Sequence, residues 1–296
     1  MRADRSLGTI LGFSAVLMWA LLALLTALSG AVPPFQLAAM SFAIASAIGL
    51  VMLKVRGVGF AVFRQRPAVW FVGVAGLFGY HALYFAALRN APAAEASLIA
   101  YLWPLLIVLG SASLPGERLR WFHILGAFLG LCGAALIVTR GGGVSLDLRF
   151  ALGYGLALLC AMTWSTYSLL SRRFGEVPSD VVTGFCLATA VLSLLCHLAF
   201  ETTVWPQGGG EWTAVVLLGL MPVGGAFYVW DYGVKRGDIQ VIGAASYAAP
   251  LLSTLVLVVA GKAEMRLELA AAALLITAGA GLAALPLFKR LSRRAA

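Results

Sequence analysis

Across 296 residues, 61% are apolar and only 11% charged, with a mean hydropathy of +0.95. Soluble domains carry roughly 25% charged residues, so the composition excludes a soluble globular protein and specifies a polytopic one whose main partner is the lipid bilayer. The net charge of +9 would suggest nucleic acid on a soluble chain; here it reflects basic loops on one side of a membrane, and no nucleic-acid partner is expected.

The first apolar run, about 7–29, is too long for the core of a signal peptide and leads through Val32-Pro33-Pro34 into a second run at 34–53. It reads as a retained first helix. Further runs follow at about 67–88, 92–114, 119–139, 150–171, 180–200, 212–234, 239–260 and 267–288. Each approaches the ~20 residues that span a bilayer core at about 1.5 Å per residue. Pro, Gly or charged clusters separate them, among them Pro115-Gly116-Glu117, Gly141-Gly142-Gly143 and Arg236-Gly237-Asp238. The expected fold is therefore all-α, an integral membrane protein of ten transmembrane helices. Cys132, Cys160, Cys186 and Cys196 all lie inside apolar runs without CxxC spacing, so they read as packing residues. No metal or cofactor is expected, and a monomer is the simplest assembly.

Basic residues set the orientation. With both termini and alternate loops on one side, that side holds sixteen Lys and Arg: Arg2, Arg5, Lys54, Arg56, Arg64, Arg66, Arg118, Arg120, Arg172, Arg173, Lys235, Arg236, Lys289, Arg290, Arg293 and Arg294. The other side holds five: Arg89, Arg140, Arg149, Lys262 and Arg266. The positive-inside rule places both termini in the cytoplasm.

The two halves of the chain are related at an offset of about 145 residues. Gly8 to Trp19 aligns with Gly153 to Trp164, and Tyr101-Leu-Trp-Pro104-Leu-Leu with Tyr247-Ala-Ala-Pro250-Leu-Leu; an acidic residue, Glu117 or Glu264, follows each. Five helices per half is an odd number, so the second half enters the membrane in the opposite sense. Two inverted repeats, 1–143 and 144–296, are expected, an arrangement typical of secondary transporters with a site near the midplane.

The candidate site follows from polar-tipped aromatics and helix breakers at one depth. Tyr80 and Tyr84 share a helix face with His81 one position round, Ser97, Tyr101 and Pro104 line one face of the fourth helix, and Trp103 lies beside them. Trp164, Tyr167 and Ser168 cluster on the sixth helix, with Trp19 as the repeat partner of Trp164; Trp230 and Tyr247 also lie deep. Substrate binding is assigned to His81, Tyr80, Tyr84, Tyr101, Trp103, Trp19, Trp164, Ser168, Trp230 and Tyr247. Pro104 and Pro250 are assigned as hinges, because each removes a helical hydrogen bond and leaves carbonyls to be satisfied by neighbours, water or ligand. His81 either binds substrate, titrates during transport or hydrogen-bonds a neighbour. Trp70, Trp121, Trp205 and Trp212 fit ordinary interfacial belts. Asp231 reads as an interfacial i,i+4 pair with Lys235, and Arg89 and Glu95, flanking the turn between the third and fourth helices, are expected to snorkel or pair there.

The repeated aromatic-x-x-Pro-Leu-Leu, the sequence Pro115-Gly116-Glu117-Arg118-Leu119 and its variant Gly261-Lys262-Ala263-Glu264, and the glycine-rich last helix resemble the EamA family of the drug/metabolite transporter superfamily, over nearly the whole chain. The second half departs by one inserted residue. The aromatic-rich third and fourth helices are similar to those of the family's aromatic amino acid exporters, and the resemblance implies export of amino acids from the cytoplasm across a bacterial inner membrane. The residues point to similar cargo. Aromatic faces, hydroxyls and backbone groups suit an ammonium-bearing, partly apolar molecule, whereas a phosphate ester would want deep Arg or Lys. Other small neutral metabolites or drugs are the alternative. A membrane enzyme is a distant one, since no HExxH, paired Asp or Cys/His cluster is present. Without a carboxylate at the bundle centre, facilitated diffusion or exchange is expected rather than tight ion coupling.

Overall fold

A computed structural model of the chain describes residues 2–142, 146–265 and 267–285, with side chains from residue 5. Gly143, Arg266, Lys289, Arg290, Arg293 and Arg294 lie outside the described residues, as does the side chain of Arg2. Among the described residues all regular structure is helical. Nine of the described helices are long and apolar enough to cross a bilayer: α1 (Arg5–Leu28), α2 (Pro34–Val55), α3 (Pro67–Asn90), α4 (Ala93–Ser113), α5 (Trp121–Val138), α6 (Leu148–Arg173), α7 (Ser179–Phe200), α8 (Gly208–Arg236) and α9 (Ile239–Val259). A shorter apolar helix, α10 (Leu267–Ala283), completes the order.

Local sequence explains the ends. Pro34 and Pro67 open α2 and α3, where a missing N–H costs nothing and the fixed φ suits the helix. Ala91 is extended before Pro92, as the following ring requires, which separates α3 from α4. Asp238 caps α9, its carboxylate accepting from the Val241 N–H at 3.4 Å.

Among the described residues, four helices carry irregularities inside the span that are paired by the repeat. α3 has a π-helical turn at Ala75–Gly79 and α8 one at Met221–Gly225. α4 breaks at Tyr101-Leu102 and α9 at Ser246-Tyr247. Each of the latter breaks lies just upstream of the proline, because the ring of Pro104 or Pro250 clashes with the preceding turn and starts a new helical segment instead. α1 also breaks, at Ala20-Leu21, directly after Trp19.

Neither half is a separate globule. α1 packs on α8 and α6 on α3, while α2 packs on α7 and α5 on α10; each helix therefore finds a major partner in the other half. Glycine allows the closest of these contacts. A Cβ at Gly8 would lie 2.6 Å from the Gly237 nitrogen, and one at Gly126 would lie 2.5 Å from the Gly279 carbonyl oxygen.

The helix ends meet at two faces. At the face bearing the start of α1, Arg5 meets Glu117, Arg172 and Asp238 come to the same place, and the end of α8 joins them. At the opposite face, Glu201 accepts from the backbone N–H groups of Phe35 and Gln36 at 3.0 and 3.1 Å and from His197 Nδ1 at 3.1 Å. Arg89 approaches Glu201 at 3.8 Å, not its expected neighbour Glu95. The expected i,i+4 pair of Asp231 with Lys235 forms at 2.7 Å, with the two side chains only 1% and 4% exposed. It is buried within the protein among residues of α3, α6 and α7, and the Lys235 ammonium also donates to the Val177 carbonyl.

Candidate functional site

A cavity of about 280 Å³ lies between the halves, near the lower end of the roughly 300–1,000 Å³ typical of small-molecule sites. Six helices line it: α1 with Trp19, Leu22 and Ala23; α3 with Tyr80, His81 and Tyr84; α4 with Ser97, Ala100, Tyr101 and Trp103; α6 with Trp164; α8 with Pro222, Val223 and Phe227; α9 with Ala249 and Ser253. The helical irregularities coincide with it. Tyr80 and His81 follow the π turn of α3, Pro222 and Val223 lie within that of α8, and Tyr101 marks the break in α4. Such turns reset the helical phase, so side chains that would otherwise point elsewhere face one space.

Three tryptophans from three helices, Trp19, Trp103 and Trp164, make the floor, and Trp230 packs beneath them. The ring of Trp19 lies 6.1 Å from Trp103, 5.8 Å from Trp164 and 5.0 Å from Trp230, mostly edge-on or tilted. Its indole N–H donates to the Pro222 carbonyl at 3.1 Å, which ties the break in α1 to the π turn of α8. The lining residues Leu22, Ala23, Tyr84, Ser97 and Ser253 all lie between this floor and the face carrying Glu201. The cavity therefore extends towards that face and is closed towards the face carrying Arg5.

On the wall, Tyr80 and Tyr84 are parallel, 6.2 Å apart, and the Tyr84 hydroxyl and Ser97 Oγ share a hydrogen bond of 2.9 Å joining α3 to α4. His81 Nδ1 lies 2.7 Å from the Leu77 carbonyl oxygen. A carbonyl only accepts, so Nδ1 carries a proton, and in the neutral form of the ring Nε2 is the acceptor. Phe42, Phe85 and Phe227 surround that ring edge-on at 5.2–6.1 Å. Among the described residues no Asp, Glu, Lys or Arg lines the cavity.

Seven of the ten residues assigned from sequence meet here: Trp19, Tyr80, His81, Tyr84, Tyr101, Trp103 and Trp164. Three do not. Trp230 is fully buried beneath the floor, donating to Ser168 Oγ at 3.1 Å, and Ser168 donates in turn to the Trp164 carbonyl at 2.9 Å. Both lie about one turn below the lining, so they support it from behind. Tyr247 is buried against Gly130, and its hydroxyl accepts the Leu105 N–H at 3.2 Å, one of the groups exposed by the break before Pro104. It links the two proline helices instead of facing the space. Of the two hinge candidates, Pro104 and Pro250 are both buried and outside the lining.

Leu22, Ala23, Pro222, Val223, Phe227, Ala249 and Ser253 were not singled out from sequence. The repeat held a signal for one of them, since Phe227 is His81 displaced by 146 residues.

A family model described as the EamA-like transporter family matches residues 6–139 and 151–285. An "Aromatic amino acid exporter YddG" from Ancylobacter novellus is 56% identical over 95% of this chain and 98% of its own. That of Escherichia coli is 25% identical over 93% and 96%. A "Probable terminal-alkyne amino-acid exporter" from Streptantibioticus cattleyicolor is 28% identical over 81% and 83%. A solved crystal structure at 55% identity superposes with a TM-score of 0.91, covering 95% of this chain and 98% of the other.

Proposed function

This chain belongs to the EamA-like transporter family, and we propose that it exports aromatic and other, mainly neutral, amino acids from the cytoplasm by alternating access around the aromatic cavity. It is a multi-pass protein of the bacterial inner membrane and a transporter, not an enzyme.

The observation that carries the reading is the uncharged cavity lined by Trp19, Tyr80, His81, Tyr84, Tyr101, Trp103 and Trp164. A zwitterion leaving water loses hydration on both its charges, and such a lining replaces it with ring faces for the ammonium and hydroxyl or backbone groups for the carboxylate. Its apolar side chain is received by the tryptophan floor. A multiply charged cargo finds no counter-charge there. The relatives named as amino-acid exporters support the same class.

Two inverted five-helix halves, 1–143 and 144–296, with cytoplasmic termini account for the double family match and for the paired irregularities of α3 with α8 and α4 with α9. With the basic face in the cytoplasm, the conformation seen here has its cavity directed to the periplasm. Movement to the other state requires α4 and α9 to bend at the breaks upstream of Pro104 and Pro250. The chain carries out transport as a monomer, since one copy contains the whole cavity.

Efflux and counterflow from proteoliposomes loaded with labelled phenylalanine, tryptophan, methionine or threonine test the cargo. Saturable movement of these supports the reading; no movement, with flux of an unrelated neutral metabolite instead, would transfer the site to that alternative. An imposed pH gradient separates exchange or facilitated diffusion from proton coupling.

A further inference from the structure

The cavity is closed on the side of Arg5, and the closure is built from charges. Arg5 Nη2 lies 3.0 Å from Glu117 Oε2 and 3.1 Å from Asp238 Oδ2. Arg172 pairs with the other oxygen of Glu117 and also donates to the carbonyls of Val234, Lys235 and Gly237 at 2.9, 3.2 and 2.7 Å, the carbonyls at the end of α8. The Asp238 N–H donates to Thr9 Oγ1 at 2.8 Å. Arg5 and Glu117 belong to the first half of the chain, Arg172 and Asp238 to the second. The Glu117 carboxylate is only 5% exposed. Separated from both guanidiniums it would have to be solvated anew, so the cluster opens as a unit or stays shut.

Among the described residues the opposite face has no repeat-related copy of it. Displaced by the repeat, Arg172 falls on Ala27, Asp238 on Pro92 or Ala93, and Arg5 on Phe150; only Glu117 keeps an acidic counterpart, Glu264. Arg149, beside Phe150, is 82% exposed and pairs locally with Asp147. The opposite face does carry a buried carboxylate, Glu201, but its ion partners are His197, four residues before it, and the half-exposed Arg89 at 3.8 Å, and the cavity is open there. The lock of two arginines on two carboxylates belongs to the closed end.

We propose that Arg5, Glu117, Arg172 and Asp238 form the cytoplasmic gate and that its one-sidedness holds the substrate-free carrier with its cavity facing the periplasm. This rests on the transporter reading above. A ligand arriving from the side whose competent state is scarce binds with an apparent dissociation constant divided by that state's population. Cytoplasmic substrate therefore meets a weaker site than periplasmic substrate, although the residues touched are the same.

The test uses the full-length protein in inside-out and right-side-out membrane vesicles. Glu117→Gln keeps the shape and withdraws the charge that both arginines share. It is expected to lower the half-saturation concentration for cytoplasmic phenylalanine about fivefold or more and to raise the periplasmic value less than about twofold. Glu264→Gln, the repeat-related control, is expected to change neither. A readout without substrate accompanies it. Ser111 is fully buried behind the cluster and bonded to Gln240 at 3.0 Å; Ser111→Cys, in a background lacking the four native cysteines, is expected to be alkylated from the cytoplasmic side faster once Glu117→Gln is added. If Glu117→Gln fails to fold, Arg5→Gln leaves Glu117 paired with Arg172 and is expected to give a smaller shift in the same direction. Wild-type flux with unchanged half-saturation and unchanged alkylation in either variant overturns the gate. Absence of flux in the wild type, with faster alkylation in the variant, overturns the cargo and leaves the gate standing.

Discussion

Replacing Trp19 separates its two contributions. In Trp19→Phe a ring remains among Trp103, Trp164, Phe227 and Trp230, but the donor to the Pro222 carbonyl at 3.1 Å is gone. One hydrogen bond nets about 1 kcal/mol, which at the scaling of mid-sized domains is a fall of roughly 2–4 °C in thermal midpoint. Trp19→Ala removes the ring as well. Four aromatic contacts at about 0.5–1.5 kcal/mol each agree with the roughly 3–5 kcal/mol observed for Trp-to-Ala truncations in packed cores, so its midpoint should fall by about 10 °C. Because Trp19 is also part of the cavity floor, the alanine variant should bind phenylalanine about two- to tenfold more weakly, one ring contact's worth, while the phenylalanine variant stays near wild type. The measurements are thermal unfolding in detergent and half-saturation in proteoliposomes. A Trp19→Ala protein with an unshifted midpoint and an unshifted half-saturation would refute the view that this ring joins floor and site.

Other perturbations follow from particular contacts. Asp231→Asn leaves Lys235 buried without its counter-charge, at a cost of about 3–5 kcal/mol; Asp231→Asn with Lys235→Met should recover part of that, and unfolding of the single and double variants in detergent decides it. Tyr247→Phe deprives the Leu105 N–H of its acceptor and should cost about 1 kcal/mol while leaving substrate half-saturation unchanged, since the side chain is behind the wall. Gly233→Ala drives a methyl into the Gly12 backbone and should abolish folded protein on size-exclusion chromatography, whereas Gly155→Ala, with nothing within 4 Å, should be neutral or stabilising by up to about 1 kcal/mol. Tyr84→Phe removes the bond to Ser97 between α3 and α4 and should weaken phenylalanine binding by about fivefold or less, read as half-saturation in efflux.

Hydropathy, punctuation by Pro and Gly, and one internal offset determined much of this protein. Helix length and apolarity are set by the thickness of the bilayer, so the nine long helices α1 to α9 and the shorter α10 were legible as apolar runs. The breaks near Pro104 and Pro250 were legible because proline acts on its own helix. Seven cavity residues could be found because polar-tipped aromatics at one depth are costly against lipid and so mark an interior.

Only the tertiary structure decided the rest. The phase shift of the π turns at Ala75–Gly79 and Met221–Gly225, and the depth at which the cavity ends, put Ser168 and Trp230 beneath the floor and left Phe227 in the wall. The burial of Asp231 and Lys235 arises from α3, α6 and α7 packing around them, which spacing along α8 does not reveal. Above all, Tyr101 and Tyr247 are equivalent in an inverted repeat, and a symmetric pattern gives both the same role. The folded chain occupies one state at a time, open at one end and shut at the other, so Tyr101 faces the cavity and Tyr247 is sealed behind it.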